Sequence, residues 1–233
     1  MFSDLFEPEK VEKAWQVLRE SIPLAIWETL YATVLATFFA LLIGLPLGVL
    51  LVVGEKNNIM PLPKWVLTLL GTIINILRSV PFVILVVVLI PFTRLIIGTS
   101  LGTMASIVPL TIAAFPFIAR LVESSLREIN PNIIEAAQSM GASPMQIIVK
   151  VMIPECVPSL ISNITVAITT ILGYTAMSGI VGGGGLGKIA LDYGYYRYQT
   201  LVMLMAVVII VVIVQLLQTI GTRLAVKSDK RIK

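Results

Sequence analysis

The sequence has no histidine, a single cysteine and few charged residues. Of its 233 residues, 13% are charged and 57% are hydrophobic, and the mean hydropathy is +0.97. One cysteine and no histidine exclude a disulfide framework, a Cys/His zinc site and a histidine-based catalytic triad. Soluble domains contain about 25% charged residues. The sequence has too few charged residues to form a water-exposed surface around so much apolar material. The composition therefore predicts a membrane protein.

Uncharged stretches long enough to cross a bilayer recur along the chain. A spanning helix needs roughly 20 mainly apolar residues. Four uncharged windows satisfy this, namely Thr29–Gly54, Leu95–Ala119, Cys156–Gly187 and Tyr198–Thr222. A fifth apolar stretch, Trp65–Thr93, contains Arg78 and as one straight helix would be about 43 Å long. We interpret it as one span that is irregular near Pro81, so the sequence predicts an all-α membrane protein with five transmembrane helices.

The distribution of basic residues predicts the orientation in the membrane. The C-terminal tail is rich in lysine and arginine, whereas the N-terminal segment is mainly acidic. By the positive-inside rule, the C-terminus is cytoplasmic and the N-terminus lies outside. The loops at 54–64 and 120–156 are then cytoplasmic. We therefore divide the chain into an extracytoplasmic segment (1–22), a five-span domain (23–225) and a basic cytoplasmic tail (226–233).

The N-terminal segment has the pattern of an amphipathic helix. From Pro8 onward, apolar residues recur on one helical face, namely Val11, Ala14, Trp15, Leu18 and Ile22. We interpret this segment as an interfacial helix with Trp15 at the depth of the lipid headgroups. A frayed, solvated end is the alternative. The acidic start and the lack of an early apolar core are not typical of a cleavable signal peptide.

The longest polar loop, 129–155, contains two helix-start signals. Asn130-Pro131 and Ser143-Pro144 each place a capping residue before a proline at the first helical position. Gly141 supplies a stop between them, and Pro154 is expected to end the second helix. The loop therefore predicts two short helices hinged at Gly141. Several apolar residues on the first helix are expected to be exposed and to contact a protein partner, namely Ile133, Ile134, Ala136, Ala137 and Met140.

The same loop resembles a known motif. Glu135-Ala136-Ala137, a glycine after three more residues and the sequence Val151-Met152-Ile153-Pro154 resemble the EAA motif of permeases from ATP-driven (ABC) importers. Valine and isoleucine replace the isoleucine and leucine of the family pattern. The resemblance implies that the loop is the coupling helix that docks on the ATPase subunit. It implies that the coupling residues are Glu135, Ala136, Ala137, Met140, Gly141 and Pro154. An interfacial re-entrant hairpin without a partner is the alternative.

Further segments resemble one branch of that superfamily, the methionine importer permeases. They are Arg78–Phe82, Ile90–Thr93, Val108–Thr111, Pro116–Arg120 and Gly173–Gly179, and the similarity extends roughly from Trp27 to Thr222. The resemblance implies the type I importer permease fold in the inner membrane, with D- or L-methionine as substrate. It also implies a homodimer of this chain, two ATPase subunits and an extracytoplasmic binding lipoprotein. No cofactor is expected, and ATP hydrolysis is expected in the partner subunit.

A glycine-rich segment superficially resembles a nucleotide-binding loop. Residues 182–188 fit the first seven positions of the phosphate-binding loop pattern. However, Ile189 stands where serine or threonine should hold magnesium, and no strand is expected before the segment. We interpret it as a flexible turn on the outer side, beneath a docked binding protein. Lys188, Asp192 and Arg197 either make polar contacts there or belong to an ordinary solvated loop.

Two groups of residues are candidates for the translocation pathway or the dimer interface. An arginine facing lipid at the bilayer centre costs roughly 2.5–3.5 kcal/mol, so Arg78 is expected to face the bundle interior, near Ser79 and Pro81. In the alternative, the span starts later and Arg78 reaches the cytoplasmic headgroups. Late in the fourth span, Tyr174, Met177 and Ser178 are candidates to line the pathway, with ordinary helix packing as the alternative.

Other functions are less consistent with the sequence. A permease for another amino acid or small solute of the same superfamily shares all of these features. A stand-alone ion-coupled carrier usually shows internal repeats or charges within its spans, whereas this sequence has no convincing repeat and only Arg78 as such a charge. A membrane-embedded enzyme would need a nucleophile–base pair or paired carboxylates at membrane depth, and the sequence shows neither.

Overall fold

The computed structural model describes residues 7–56 and 58–229, and this part of the chain contains helices and no strand. The α-helices are α1 (Pro8–Glu20), α2 (Ile22–Val53), α3 (Lys64–Ser79), α4 (Phe82–Val88), α5 (Ile90–Ile97), α6 (Thr103–Arg127), α7 (Pro131–Ser139), α8 (Pro144–Ile147), α9 (Ile153–Glu155), α10 (Val157–Ser178), α11 (Gly185–Ile189) and α12 (Thr200–Ser228). Ile148–Met152 and Ala190–Tyr196 form π-helical turns, and Gly179–Val181 forms a 3₁₀ turn. The predicted all-α class is confirmed.

Four helices are long and apolar enough to cross a membrane. These are α2, α6, α10 and α12, extended in the case of α10 to Val181, and the pair α3–α4 adds a fifth span if the two helices are counted together. The predicted irregularity near Pro81 is found as a break between them. Val80 is extended there, with φ −81° and ψ 125°, because proline disfavours the helical conformation of the residue before it.

The third span differs from its prediction at both ends. Of the window Leu95–Ala119, the first three residues belong to α5, and the spanning helix α6 begins only at Thr103. Gly98 and Gly102, which separate the two helices, both have left-handed backbone conformations (φ 83° and 93°). Glycine adopts this conformation without the steric penalty of a side chain. At its other end, α6 continues past the uncharged window to Arg127, so it carries several charges in its last two turns.

The described residues fall into two compact units. Unit 1 contains 7–37, 81–112 and 168–217, and unit 2 contains 38–80 apart from Asn57, 113–167 and 218–229. Each of the four long helices contributes a segment to both units. In unit 1, one apolar cluster joins α1 and the start of α2 to α11 and α12, with buried members Ala14, Ile22, Ala25, Leu186, Ile189, Val202 and Ala206.

The N-terminal helix α1 packs partly against the rest of unit 1, a contact that its sequence pattern does not predict. A helix from Pro8 is confirmed. However, Ala14 is 1% exposed and packs with Leu18 into the cluster of unit 1, whereas Trp15 is 49% exposed. Much of the apolar face of α1 therefore covers the chain's own α11 and α12. The predictions for residues 1–6 and for the tail residues Lys230, Arg231 and Lys233 lie outside the described residues.

Unit 2 depends on very close approach of α2 and α6. A Cβ atom at Gly44 would lie 2.7 Å from the Phe115 carbonyl oxygen, and one at Gly48 would lie 2.5 Å from the Ala119 carbonyl oxygen. The two glycines are four residues apart, the spacing that lets apolar helices pack backbone to backbone. Van der Waals contact along this seam holds the helix that leads into loop 129–155.

Candidate functional site

The first helix of loop 129–155 begins as predicted. Asn130 is extended and its side-chain oxygen accepts a hydrogen bond from the Asn132 N–H at 3.0 Å. Pro131 occupies the first helical position, where no N–H is needed and the fixed φ of proline suits a helix. Both features are local to the sequence, so α7 forms where the sequence indicates.

The end of α7 is a Schellman motif. Gly141 is left-handed at φ 78°. Its N–H donates to the Gln138 carbonyl at 2.9 Å, and the Ala142 N–H donates to the Ala137 carbonyl at 3.1 Å. These bonds satisfy carbonyls that the helix end would leave unpaired. The predicted helix stop at Gly141 is therefore confirmed as a left-handed, hydrogen-bonded end of α7.

The second helix does not end at Pro154, which contradicts the prediction. The Gln146 side chain accepts from the Ser143 N–H at 2.9 Å and caps the start of α8. The chain then continues through the π-helical turn Ile148–Met152 into α9, and Pro154 lies inside this run. A π-helical turn changes the hydrogen-bonding register, so the helix tolerates a residue without an N–H. The irregularity at Cys156 separates α9 from α10.

The exposed surface of the loop is apolar but differs from its prediction at Ala137 and, to a lesser degree, at Ile134, which is half-buried. Met140 is 82% exposed and Ile133 is 37% exposed, and Ala136 and Glu135 are also exposed. Ala137, by contrast, is 4% exposed and lies inside the chain. Ala137 therefore supports α7 from within, while the exposed residues present a surface that is unusually apolar for a short connecting helix.

A charged network lies where α7 joins the rest of unit 2. The Arg127 guanidinium donates to Glu55 Oε1 at 2.6 Å and to Glu123 Oε1 at 2.9 Å. Arg127, Glu55 and Glu135 also line one cavity of about 320 Å³, together with Ile129 and Ile134. The exposed glutamate of α7 and the end of α6 therefore belong to the same polar cleft.

Two candidate pathway residues, Arg78 and Ser79, lie in the last turn of α3. Both are exposed, and the Ser79 hydroxyl donates to the Asn75 carbonyl at 2.8 Å. Within the described residues, Arg78 makes no ion pair. In unit 2 taken alone, this cation therefore lies on the surface, without an acidic partner among the described residues.

The other candidates lie in unit 1 and are arranged around an aromatic pair. Tyr174 of α10 stacks on Phe82, which follows Pro81, with ring centroids 4.7 Å apart and planes 6° from parallel. Met177 is 46% exposed, whereas Ser178 is 2% exposed and its hydroxyl donates to the Thr175 carbonyl. Ser178 is thus part of the interior, and Tyr174 fixes the start of α4 against α10.

The glycine-rich segment is closely packed, which contradicts its interpretation as a flexible turn. Glu28 Oε2 accepts from the Gly185 N–H at 2.7 Å, and Thr29 Oγ1 accepts from the Leu186 N–H at 2.9 Å. Leu186 is fully buried. A Cβ atom at Gly187 would overlap the Ala176 backbone. These amides are already satisfied by α2, so the arrangement is unlike a free phosphate-binding loop.

Two further residues organise these contacts, Glu28 and Glu123, and neither is among the candidates that the sequence motifs identify. Each is an acidic residue at the margin of an uncharged window. Their position offered a signal, because a carboxylate beside a membrane span needs a partner. The partner of Glu28, Gly185, is distant in sequence and only the fold identifies it, whereas Arg120 and Arg127 lie one helical turn from Glu123.

The family model described as "Binding-protein-dependent transport system inner membrane component" matches residues 44–233 of this chain. The chain is 46% identical to the probable D-methionine transport system permease protein MetI of Vibrio cholerae, over 93% of this chain and 96% of that protein. It is 48% identical to the protein of the same name from Pasteurella multocida, over 91% and 97%.

Solved structures are similar over the same length. A chain from the inward-facing MetNI methionine ABC transporter has a TM-score of 0.87 at 46% identity, covering 93% of this chain and 97% of that one. A chain from a bacterial ABC transporter for alginate import has a TM-score of 0.67 at 16% identity, a likeness of fold alone.

Proposed function

This chain belongs to the family of inner membrane components of binding-protein-dependent transport systems, and from that premise we propose that it is the permease subunit through which methionine is imported. A separate ATPase subunit supplies the energy. The observation that carries the proposal is the similarity to the MetNI methionine transporter chain over 93% of this sequence, with a TM-score of 0.87. Loop 129–155 has the physical features that such a role needs.

The proposed assembly contains two copies of this chain and two ATPase subunits, with a binding lipoprotein outside that delivers D- or L-methionine. A symmetric dimer places the substrate route between two equal surfaces. The exposed positions of Arg78 in α3 and Met177 in α10 are compatible with contact to a second copy or to the route. Half-buried Tyr174, stacked on Phe82, supports the surface that carries Met177.

The proposed orientation places loop 129–155 in the cytoplasm and α1 outside. It rests on the basic C-terminal segment and the acidic N-terminal segment of the sequence. The loop is then on the side where ATP is available. The glycine-rich segment is on the opposite side, where it supports the surface that receives the binding protein.

The proposed coupling surface consists of the exposed part of α7. Ala136 and Ile133 allow close apolar contact, Met140 adds a flexible side chain that adapts to a partner, and Glu135 supplies one charge. Gly141 fixes the direction in which α7 projects, and Ala137 anchors it to unit 2. Movement of the ATPase subunits would then act on a short, capped helix, which transmits displacement better than an unstructured loop does.

The test is reconstitution of the purified chain with its ATPase partner and binding protein in liposomes. Methionine uptake that requires ATP inside and the binding protein outside is the expected result. Uptake of methionine by the chain alone would instead indicate a stand-alone carrier. ATP-dependent uptake of a different amino acid that methionine does not inhibit would keep the permease role and contradict the substrate.

A further inference from the structure

A buried carboxylate in the last turns of α6 is shared by two arginines. Glu123 is 9% exposed. Its Oε2 atom accepts from Arg120 Nη1 at 2.6 Å, and its Oε1 atom accepts from Arg127 at 2.9 and 3.2 Å. The three residues are spaced by three and four positions and so lie on one face of the helix. Both carboxylate oxygens are thereby occupied.

Each arginine also reaches a different element of unit 2. Arg120 Nη2 donates to Asn75 Oδ1 of α3 at 2.9 Å and lies 3.5 Å from the Gly71 carbonyl oxygen. Arg127 Nη2 donates to Glu55 Oε1 in the turn after α2 at 2.6 Å. Glu123 is therefore the central link of a chain that joins α3, α6 and the turn after α2.

This chain of contacts ends at the base of the coupling helix. Arg127 is the last residue of α6, and the cap residue Asn130 follows three positions later. Arg127 and Glu55 line the same cleft as Glu135 and Ile134 of α7. Arg127 is therefore connected to the start of α7 both by a short stretch of chain and by the cleft that the two elements share.

The exposure of these side chains indicates that the network fixes the positions of the helices more than it adds to the stability of the fold. The Arg127 and Glu55 side chains are 48% and 47% exposed, and pairs this exposed contribute little to stability. The Glu123 side chain is only 12% exposed. Removing its charge would leave two arginines competing at a site with little water, so the guanidinium groups would separate.

We propose that Glu123 is a positioning residue for energy coupling, which holds Arg120 and Arg127 together and so fixes the base of α7 to α3 and to the turn after α2. This inference rests on the proposed function for its consequence in transport. The geometry itself belongs to the chain alone. Loss of Glu123 would let α7 move without carrying the membrane helices with it.

The test compares Glu123→Gln with wild type in the reconstituted complex. Hydrogen exchange at residues 131–147 and methionine transported per ATP hydrolysed are measured together. We expect exchange at 131–147 to rise, and transport per ATP to fall, by at least about threefold, within the range for residues in a coupling network. ATP hydrolysis itself should persist. Glu9→Gln, which removes an exposed partner of Lys13, is the matched control and should change neither quantity.

Asn75→Ala is the second variant, for use if Glu123→Gln fails to fold. It removes the side-chain link from Arg120 to α3 and leaves Glu123 in place, so a smaller increase in exchange at 131–147 is expected. Unchanged exchange and unchanged transport per ATP in a folded variant would refute the proposal. A rise in exchange spread evenly over α6 and α10, with a lower Tm, would also refute it by indicating a purely structural role.

The two readouts separate this inference from the proposed function. If the wild-type complex fails to transport methionine, the proposed substrate is wrong. The exchange measurement then still decides whether Glu123 positions α7. If wild type transports methionine and the Glu123 variant remains fully coupled with unchanged exchange, only the positioning role is contradicted.

Discussion

The Glu28 carboxylate accepts a hydrogen bond from the backbone N–H of Gly185 at 2.7 Å, although the two residues are 157 positions apart. Beside it, the Thr29 hydroxyl oxygen accepts from the Leu186 N–H at 2.9 Å. The first turns of α2 therefore cap the start of α11 through two consecutive side chains. A glycine-rich segment that would be mobile alone is held closely against a spanning helix.

Replacement of Glu28 by alanine should loosen the glycine-rich segment. A buried amide that loses its acceptor costs about 1–3 kcal/mol, so we expect hydrogen exchange at residues 182–189 to increase. Glu20→Ala on the exposed side of α1 is the control. Equal protection in the Glu28 variant and wild type would mean that this hydrogen bond does not hold the segment.

Substitution of Gly141 should reduce ATP-driven uptake, and the loss should be larger for residues that tolerate the left-handed backbone conformation less well. The residue has φ 78°, and nothing lies within 4 Å of an added Cβ atom, so the cost is conformational, about 1–2 kcal/mol for most residues. Asparagine tolerates this conformation better than valine does. We expect ATP-driven uptake to follow Gly, then Asn, then Val. A valine variant as active as the asparagine variant would contradict the backbone explanation.

Substitution of Gly48 should destabilise the permease by forcing α2 and α6 apart. An added Cβ atom would lie 2.5 Å from the Ala119 carbonyl oxygen and 2.6 Å from Val122 Cβ, and overpacking of this kind costs about 1–3 kcal/mol. We expect a lower Tm for Gly48→Ala in detergent. Gly173→Ala is the matched control, since nothing lies within 4 Å of its Cβ position, and its Tm should not fall.

The Cys156 thiol should resist alkylation in the folded protein. Burial raises its pKa to about 11, because a buried site disfavours the charged thiolate. At pH 8 the thiolate fraction is then lower by roughly 100-fold than for an ordinary thiol. We expect slow labelling that accelerates as pH approaches 11, and fast labelling after denaturation at pH 8. Rapid labelling of the native protein at pH 8 would show that the Cys156 thiol is accessible or that its pKa is not raised.

Replacement of Arg78 by alanine should impair transport without preventing assembly. The side chain is exposed in the last turn of α3 and makes no ion pair within the described residues. Its removal should therefore leave the fold of the chain intact. We expect the variant to form the complete complex with reduced methionine uptake, and Arg78→Lys to retain more activity. Normal uptake by an assembled alanine variant would exclude a role in the pathway.

Loop 129–155 shows how much local structure can be predicted from the sequence. Asn130, Pro131 and Gly141 act on their immediate neighbours, so the start and end of α7 were predictable from their order along the chain. The prediction that Pro154 ends the second helix is wrong, because the π-helical turn before it depends on how the preceding residues pack. The burial of Ala137 is also not predictable from the sequence. Apolar residues lie on more than one side of α7, and only the packing of the loop decides which side is covered.

The sequence by itself determined the membrane-spanning, all-α character of this protein, the approximate number of its spans and the start and end of α7 in loop 129–155. These properties follow from apolar run lengths and from caps whose physics is local. Only the tertiary structure decided that Glu28 holds Gly185, that Arg120 reaches Asn75 and Arg127 reaches Glu55, and that α1 covers α11. Such contacts join residues far apart in sequence, and a charge acquires its partner only when packing brings the two together.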